Sequence, residues 1–567
     1  MYLRIISFDI EVLPNENGQF PTAEICPVTM ISCTLNSKVN LKDFNGEDIK
    51  SDNIIFLLRK NNVGNINFDS ENGRVIIEFL DEKFMLNEFF RFMNYFNSDV
   101  ITGYNINGFD IPYVVDRSKV LGIDNVKIGR SDSNLFYTKY MSKGMMTYKV
   151  VGVDGRIVFD VLYILRREDA SNTFLKKYNL KRLSLEHVSY EILGVEKLDF
   201  SISKMIEYWK DNDNKELVNE FVNYCSRDSF LALEFVTRFR LLDRFLMLSK
   251  RSGKLPQAII NSAGSGVMVE NLLLKEFKKN DRIMSCRSKT RNKDDDDKEL
   301  IGAFVLEPEL GITDNIASVD YKSLYPSIMI KHNLSYDTVI MTRGTYDFDD
   351  VNEINEEDIE VQTFEDGKVV GKFIKKEKHV GIVPNLLKDL LNERTILKKE
   401  MKKHDKDSVD YLLLDASQNA VKILLNSMYG YGGDKRAKVY NWTVASAVTA
   451  NGRKRIHATK SQIEDEIGVV YYDNNDYKLT VVASDTDSCY VKVDYLDENM
   501  REGVDDEISR DAVIHCINYV IEEVNKKLEK PMELAFENYI KRILVVAKKR
   551  YAMLIEDDNG RLSITTK

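Results

Sequence analysis

Two carboxylates stand one residue apart in the stretch VVASDTDSCYVKV, which covers residues 481–493. The flanking residues are β-branched or aromatic and favour strands, so we expect Asp485 and Asp487 at the tip of a hairpin. Residues i and i+2 of a strand share a face, and two like charges held that close favour a bound cation. The alternative is a polar turn with ordinary aspartates, and this stretch alone leaves both interpretations open.

Further carboxylates stand at the ends of predicted strands or on the first or middle turns of predicted helices. In the second half of the chain, Asp320 ends a strand and is followed by SLYPS, which turns into a helix. In the first 250 residues the same placement recurs at Asp9, Glu11, Asp110 and Asp228. Each half of the chain therefore holds its own group of acidic side chains.

Basic side chains recur at helical spacing between Asp320 and Asp485. Arg394 and Lys398 are four residues apart, as are Lys422 and Asn426, so each pair lies on one helical face. Two antiparallel helices could aim the three cations at one anion, although exposed basic helix faces are also common. Gly430 and the glycines that follow it either let a flat partner approach closely or simply end the helix.

Length and composition are those of a globular protein with several domains. The chain has 567 residues, of which 43% are hydrophobic and 30% charged, and two to four domains are expected. The six cysteines form no CxxC pair or Cys/His cluster, so we expect reduced thiols and no zinc or iron–sulfur site. The sequence has neither a signal peptide nor a membrane span, which predicts a soluble intracellular protein.

The charge is unevenly distributed along the chain. A net charge of −10 disfavours a nucleic-acid partner. Residues 386–460, however, contain fifteen Lys or Arg against eight Asp or Glu, and a second basic segment ends at 551. Acidic residues concentrate elsewhere, at 294–297 and 345–360. This segregation leaves phosphate binding open.

The hydrophobic pattern predicts a mixed α/β region of roughly 250 residues and a second region after it. In the first region we expect strands at 1–12 and 156–166, helices at 83–96 and 215–248, and a strand–turn–helix unit at 99–118. In the second we expect two strands ending at Asp320, helices at 386–403, 411–431, 443–466 and 509–528, a hairpin at 470–493 and two strands over 542–555.

Seven short motifs resemble those of family B DNA polymerases, in the order in which that family carries them. Three are similar to exonuclease motifs, and four to polymerase motifs A, B and C and the lysine-rich motif after them. They are FDIE (8–11), YNINGFD (104–110), YCSRD (224–228), DYKSLYPSI (320–328), KILLNSMYG (422–430), SDTDS (484–488) and KKRY (548–551). Together they cover nearly the whole chain.

The resemblance implies an RNase H-like 3′–5′ exonuclease domain followed by a right-hand polymerase with α/β and α+β architecture. We expect the exonuclease domain over 1–250 and the first part of the palm over 251–385. Fingers of two antiparallel helices would occupy 386–450, and the second part of the palm 451–567. The implied activity is template-directed addition of deoxynucleotides to a primer 3′-hydroxyl, with proofreading.

The resemblance also implies two Mg²⁺ ions per active site, for which Mn²⁺ can substitute. In the polymerase site the ligands would be Asp320, Asp487 and the backbone carbonyl of Tyr321, with Asp485 in a supporting role. In the exonuclease site they would be Asp9, Glu11, Asp110 and Asp228, with Tyr224 orienting the attacking water.

Further residues match family positions that contact the substrates. Tyr325 matches the residue whose ring forms the floor of the sugar pocket and excludes a ribose 2′-hydroxyl. The implied nucleotide-binding residues are Tyr321, Ser323, Leu324, Tyr325, Arg394, Lys398, Lys422 and Asn426. Primer–template DNA would be held by Tyr429, Gly430, Lys548, Lys549, Arg550 and Tyr551, mainly through contacts that position without reading sequence.

Among the departures of the chain from the family pattern, two bear most on function. Leu300, in LIGA (300–303), replaces the tyrosine of the motif that links the two activities. Few residues follow Tyr551, so we expect the thumb on a second chain of a split polymerase. A thumbless enzyme that relies on a sliding clamp and a protein-primed polymerase are the alternatives.

Two other classes of function compete with this interpretation. The chain could be mainly an exonuclease with a DNA-binding, polymerase-like platform, but such a platform has no need of Asp320, Asp487, Lys422 and Tyr325. A structural replisome subunit would tolerate the loss of both carboxylate groups. We expect primer–template DNA and deoxynucleoside triphosphates as partners and no membrane. The expected location is the cytoplasm or nucleoid of a prokaryote, or a host cell if the protein is virus-encoded.

Overall fold

The computed structural model of the chain contains two compact units. Unit 1 comprises Met1–Gly264 with Met401–Ser417, and unit 2 comprises Ser265–Glu400 with Gln418–Lys567. The predicted domain boundaries at 250, 385 and 450 stay a prediction. The structure describes all residues except 1–2, 16–19, 43–47, 62–65, 125, 127, 132–135, 144–145, 167–179, 197, 199, 212–213, 263, 285–298, 341–353, 407, 497–507 and 567. The acidic run 294–297 and the first part of 345–360 lie outside the described residues.

Unit 1 is a mixed α/β unit built on one sheet. Its strands are β1 (Ile5–Val12), β2 (Val28–Lys42), β3 (Asp48–Leu58), β4 (Ile66–Asp69), β5 (Arg74–Phe79), β6 (Val100–Gly103), β7 (Phe136–Lys143), β8 (Met146–Val153) and β9 (Ile157–Asp160). Its helices are α1 (Glu82–Phe96), α2 (Asp110–Val120), α3 (Val161–Arg166), α4 (Leu185–Leu193), α5 (Ile202–Lys210), α6 (Lys215–Thr237), α7 (Leu241–Ser252) and α8 (Pro256–Ile260). In the described part, seven strands run in the order β4-β5-β3-β2-β1-β6-β9, and β7 pairs with β8.

Both faces of this sheet are buried. On β3, Ile54 and Phe56 belong to the core that contains the phenylalanines of α1. Ile55 and Leu57 alternate with them and pack in the core that contains Phe221 of α6. Because successive side chains of a strand point to opposite faces, α1 and α6 cover opposite faces of the sheet. Helix α6 thereby lies over β1, the strand that carries Asp9 and Glu11.

Unit 2 is built on an antiparallel sheet with helices. Its strands are β10 (Gly311–Tyr321), β11 (Val339–Ile340), β12 (Ile359–Thr363), β13 (Val369–Ile374), β14 (Val469–Tyr472), β15 (Asn475–Asp485), β16 (Ser488–Tyr495), β17 (Leu534–Ala547), β18 (Arg550–Glu556) and β19 (Leu562–Thr566). The other helices of the chain are α9 (Gly266–Lys279), α10 (Leu324–Lys331), α11 (Ile382–Met401), α12 (Val409–Gly432), α13 (Trp442–Ser461) and α14 (Arg510–Lys526). Among described residues the large sheet has the order β14-β15-β16-β10-β17-β18-β19, and β11-β13-β12 form a smaller one.

Most predicted helices lie within a few residues of their predicted positions, and five predicted elements differ. Of the two strands expected before Asp320 the structure has one, β10. The described residues 299–310 before it form neither strand nor helix, and the Leu306 amide there donates to the Ser484 hydroxyl at 2.9 Å and not to the backbone of a neighbouring strand. The strand expected at 156–166 ends at Asp160 and continues as α3. The helix expected at 215–248 is two helices, because Arg240 between them has a left-handed φ of 54°. The expected hairpin at 470–493 has a third strand, β14, and the two strands expected over 542–555 are followed by β19.

The N-terminus of α11 is held by a buried carboxylate. The carboxylate oxygens of Asp337 accept hydrogen bonds from the Ile382 amide at 3.1 and 3.2 Å, from His379 Nε2 at 3.0 Å and from the Ser335 hydroxyl. Burial raises the pKa of Asp337, but these hydrogen bonds outweigh it and hold the pKa below its usual value. A negative charge at a helix N-terminus also stabilises the helix dipole.

Asp337→Asn should lower the free energy of unfolding by about 2 kcal/mol, because a charged acceptor shared by several buried donors is lost. The native pKa lies below the unfolded one, so the stabilisation is complete above the unfolded pKa and is lost as pH falls through the native pKa. Thermal unfolding measured by circular dichroism should therefore show a difference in unfolding temperature between wild type and Asp337→Asn that disappears below about pH 4. Asp366→Asn, at an exposed turn, is the control. A difference in unfolding temperature that does not change with pH would contradict the stabilising role of the ionised Asp337.

Candidate active sites

The first candidate site lies where β1 meets α6. Asp9 and Glu11 alternate with buried residues along β1 and so share one face of the strand. Cys225 of α6 lies on the same side, with its Sγ 3.9 Å from Asp9 Oδ2. One ligand atom from each of the three side chains falls within 4.8 Å of the other two. The structure therefore brings the first and third exonuclease-like motifs together.

Asp110 joins this site from the first turn of α2. It is 3% exposed, and its Oδ1 accepts a hydrogen bond from the Ile10 amide at 3.1 Å. Burial, together with the charges of Asp160 and Asp228, raises the pKa of Asp110 to about 7. Asp228 of α6 is 5% exposed. Several buried carboxyl groups that lie close together favour a divalent cation between them. The residues present therefore fit the metal that the sequence implies.

Asp160 is a residue of this site that the sequence motifs did not reveal. It ends β9, is 2% exposed and accepts hydrogen bonds from the amides of Asn105 and Asn107, both at 3.0 Å, and of Tyr163 at 3.2 Å. Two of these donors lie in the YNINGFD loop that leads to Asp110. Asp160 thus holds that loop in place. The strand predicted at 156–166 contained Asp160, and a carboxylate within the otherwise apolar run IVFDVLYIL (157–165) was the signal that could have identified it.

A cluster of buried hydroxyl groups fixes α6 against the sheet. The Ser229 hydroxyl lies 2.7 Å from those of Ser32 and Thr34, both on β2. One turn earlier, Asn53 Nδ2 donates to Ser226 Oγ at 2.6 Å. These contacts flank Asp228 along the helix, so they set the rotation at which its carboxylate meets β1. Tyr224, one turn before Asp228, packs its ring against another aromatic side chain of the unit, Phe200.

The second candidate site lies at the end of β10 in unit 2. Asp320 is opposite Ser488 of β16, and Ser488 pairs in turn with Asp485 of β15. The Tyr321 amide donates to the Asp487 carbonyl oxygen at 3.0 Å. Motif A and motif C are therefore joined through the backbone. Their acidic residues meet at one end of the large sheet.

The hairpin tip differs in one respect from the sequence expectation. Asp485 is the last residue of β15, but Asp487 belongs to the two-residue turn and not to a strand. Thr486 has a left-handed φ of 63°, and the Asp487 amide bonds back to the Asp485 carbonyl oxygen at 2.7 Å. Strand alternation therefore does not determine the direction of Asp487, and the turn does. A strained non-glycine residue is typical of functional turns.

The KKRY motif packs against Asp485. Lys549 Nζ lies 3.3 Å from Asp485 Oδ1, and the Tyr551 hydroxyl donates to Asp485 Oδ2 at 3.4 Å. Tyr551 is only 6% exposed and also shares a hydrogen bond of 2.8 Å with the Tyr490 hydroxyl. Lys548 instead pairs with Glu307 at 2.5 Å. The expected DNA contacts of this motif stay a prediction, and the structure adds a second task, which is to hold Asp485.

A bulge in β15 precedes the hairpin tip. The register with β16 shifts between Val481 and Ala483. The Val481 amide donates to Glu464 Oε1 at 2.7 Å, and the Glu309 amide donates to the Val482 carbonyl oxygen at 3.3 Å. Glu464 lies in a π-helical turn, Gln462–Ile467, that comes after α13. Bulges change the direction of the side chains that follow them. Glu464 accepts the hydrogen bond of the amide that this bulge displaces from the strand pairing.

Several of the residues expected to bind the incoming nucleotide come directly after Asp320 in the sequence. Ser323 has a left-handed φ of 56° and precedes α10, whose first residue, Leu324, is 2% exposed. The ring of Tyr325 packs on that of Tyr429, with centroids 4.5 Å apart. The Tyr321 side chain points elsewhere, since its hydroxyl bonds to Thr459, so only its backbone faces the tip of the hairpin.

The predicted basic residues lie on α11 and α12. Arg394 Nε lies 3.4 Å from Gln418 Oε1, which links the two helices. Burial lowers the pKa of Arg394. Lys398, Lys422 and Asn426 are exposed, as binding to a triphosphate would require. Gly430 and Arg550 are exposed too.

Comparison with known proteins identifies the family. A family model described as DNA polymerase family B matches residues 255–567, and one described as the exonuclease domain of DNA polymerase family B matches residues 2–183. The chain belongs to DNA polymerase family B. The expected order, an exonuclease domain followed by a polymerase domain, is thereby confirmed. Exonuclease and polymerase domains of this family generally depend on divalent metals.

The chain is also similar to individual family members. It is 31% identical to the DNA polymerase delta catalytic subunit of Plasmodium falciparum over 98% of this chain and 47% of that protein. It is 31% identical to the one from Candida albicans, over 97% of this chain and 49% of that protein. The family B DNA polymerase of Pyrobaculum calidifontis shares the fold, with a TM-score of 0.63, 24% identity, and coverage of 100% of this chain and 60% of that one.

The matched delta catalytic subunits are longer proteins than this chain. The chain spans about half the length of the curated relatives it matches. Those two relatives come from eukaryotes, so they lend no support to the expected prokaryotic or viral origin, and the compartment stays a prediction. Within the part of the chain that the structure describes, no helix is both long and apolar enough to cross a membrane.

Proposed function

We propose that this protein adds deoxynucleotides to a primer 3′-hydroxyl under the direction of a template and removes mispaired ends by 3′–5′ exonuclease action. The observation that carries the proposal is the pair of carboxylate groups. One is assembled from three separated motifs in unit 1, and the other from motifs A and C in unit 2. Because each group recruits residues far apart in sequence, chance acidic surfaces do not explain them.

In the polymerase site, Asp320, Asp487 and the carbonyl oxygen of Tyr321 would hold two Mg²⁺ ions, which Mn²⁺ can replace. Such ions stabilise the attacking and leaving oxygens of a phosphoryl transfer. The supporting role of Asp485 agrees with its contact to Lys549 at 3.3 Å, because the protein already supplies a cation there.

The basic helices would bind the incoming deoxynucleoside triphosphate. Arg394, Lys398 and Lys422 would hold its phosphates and neutralise the charge that develops as pyrophosphate leaves. Tyr325, with Ser323 and Leu324 before it, would form the floor of the sugar pocket. Asn426, Tyr429 and Gly430 would lie near the nascent base pair. Lys549 and Arg550 would hold the phosphates of the primer strand.

In the exonuclease site, Asp9, Glu11, Asp110 and Asp228 would hold the metal ions. Tyr224 would orient the water that attacks the last phosphodiester bond. The raised pKa of Asp110 agrees with this assignment, because burial and then the charges of Asp160 and Asp228 disfavour its ionised form, and bound cations would offset both.

Extension of a labelled primer–template with Mg²⁺ tests the proposal, run with and without the four deoxynucleotides. We expect shortening of the primer without deoxynucleotides and lengthening with them. Neither reaction, at any Mg²⁺ or Mn²⁺ concentration, would refute it. Degradation that persists with deoxynucleotides would favour the alternative of an exonuclease with a DNA-binding platform.

We further propose that other polypeptides bind this one. A second chain would pair with the edge of the large sheet, and a sliding clamp would keep the enzyme on DNA. Within the described residues β19 is the end strand of the large sheet, with Leu562 and Ile564 56% and 76% exposed. Exposed strand edges accept further strands. Light scattering of the complex with primer–template DNA and candidate partners would test this, and Ile564→Lys should reduce the mass of any such assembly.

A further inference from the structure

Helix α13 carries one glycine, Gly452, at a position where alanine would favour the helix by about 1 kcal/mol. The residue is buried, so solvent exposure does not explain it. An isolated glycine inside a helix usually marks a close approach by another group. The structure identifies that group.

The ring of Tyr325 occupies the space that a side chain at 452 would need. A Cβ at this position would lie 3.0 Å from Cε1 and 3.8 Å from Cδ1 of Tyr325, and 3.8 Å from Cδ1 of Ile328. The shortest of these separations is tighter than ordinary van der Waals contact, so either the helix or the ring would have to move.

The helix backbone around Gly452 is held by its neighbours. Arg453 is 7% exposed and donates to the carbonyl oxygens of Ile301 and Gly302 at 3.0 and 2.8 Å, while its Nε pairs with Glu365 at 2.5 Å. Lys454 Nζ donates to the backbone and side-chain oxygens of Thr363 at 2.6 and 2.7 Å. Asn451 is held as well, by Gln362 of β12 at 2.7 Å.

The ring of Tyr325 therefore has to absorb the displacement. It lies beside the carboxylate site of unit 2, because α10 begins four residues after Asp320 and the Asp487 charge contributes, after burial, to raising the pKa of Tyr325. The contact with Tyr429 restricts the ring as well. A shift of a few tenths of an ångström in a ring beside a reacting group is enough to change how a substrate fits.

We infer that Gly452 is a positioning residue that sets the depth of the sugar pocket by letting Tyr325 rest against the backbone of α13. This inference rests on the proposed polymerase function and on the assignment of Tyr325 to the sugar pocket. With any side chain at 452, the ring stands further into the pocket. A ribose, which has the additional 2′-hydroxyl, is then excluded more strongly than a deoxyribose.

Single-nucleotide incorporation by Gly452→Ala tests the inference, with kcat/KM measured for a deoxynucleotide and for the matching ribonucleotide. We expect the deoxynucleotide value to fall by about threefold to tenfold, mainly through KM, and the ribonucleotide value to fall by at least about threefold more. Gly264→Ala is the matched control, because a Cβ there meets nothing within 4 Å. It should leave both values unchanged within about twofold.

The same substitution in a Tyr325→Ala background separates an effect through the ring from a general one. There, Gly452→Ala should change the ratio of the two kcat/KM values by less than about 1.5-fold. An equal change in both backgrounds, or an unchanged ratio in the wild-type background, would overturn the inference while leaving the proposed function intact. Wild-type protein that incorporates no deoxynucleotide would instead remove the proposed function and the inference with it. Thermal unfolding measured by circular dichroism reports whether each variant is folded.

Discussion

Asp320→Asn is expected to reduce nucleotide addition by about a thousandfold and to leave exonuclease activity intact. The residue ends β10, opposite Ser488, where the backbone of motif A meets that of motif C. An asparagine keeps the size and most of the hydrogen bonding of the side chain but removes the negative charge that a hard cation needs. The expected loss is therefore in kcat, since the cations of α11 and α12 that we propose bind the triphosphate are unchanged.

The matched control is Asp314→Asn, the same change six residues earlier on the same strand. Asp314 is 44% exposed and pairs with Arg542 at 2.6 Å, and a surface ion pair of this kind contributes at most about 1 kcal/mol. Primer extension and primer degradation should be measured for both variants. If Asp320→Asn still extended primers at a rate near that of wild type, the assignment of motif A would be wrong. A parallel loss of both activities together with an altered circular dichroism spectrum would indicate a defect in folding.

The sequence could predict which residues meet but not how they are held. The resemblance of three short motifs to those of family B DNA polymerases placed Asp9, Asp110 and Asp228 in one site, and the structure brings all three together. By contrast, nothing local identified Ser229, whose contacts with Ser32 and Thr34 span almost two hundred residues. Long-range packing of this kind depends on which helix face meets which strand. Hydrophobic periodicity alone does not specify that pairing.

Local rules failed mainly where the backbone leaves regular geometry. Asp485 and Asp487 would share a strand face only on a continuous strand, and the left-handed Thr486 breaks it. The break in the helix predicted at 215–248 has the same cause at Arg240, a residue with no intrinsic preference for that conformation. Tertiary contacts impose such conformations, so propensity cannot reveal them.

Gly452 shows how local sequence preference and tertiary structure combine. In the sequence it is one glycine within a long helical stretch and suggests no function. Only the approach of Tyr325 explains why alanine, the better helix former, is absent. Positions at which a residue contradicts its own local preference are therefore useful places to look for functional constraints.

Asp9→Asn is expected to produce the opposite separation, with exonuclease activity reduced by about a thousandfold and primer extension retained within about twofold. Asp9 lies on β1 with Glu11, and Cys225 Sγ lies 3.9 Å from its Oδ2. The substitution removes one charge from a site in which Asp110, Asp160 and Asp228 are already buried together. The measurement is degradation of a primer with a mismatched 3′ end, followed by its extension when deoxynucleotides are added.

Asp48→Asn, an exposed carboxylate on β3 of the same sheet, is the control and should behave as wild type. The mismatched primer should be trimmed before extension by wild type and by this control, whereas Asp9→Asn should extend it directly or stall. Trimming by Asp9→Asn at the wild-type rate would show that the carboxylates of unit 1 do not form the hydrolytic site. The results for Asp320→Asn and Asp9→Asn together are more informative than either result alone. A single shared active site would lose both activities in each variant, whereas two independent sites in two units require each variant to lose only one.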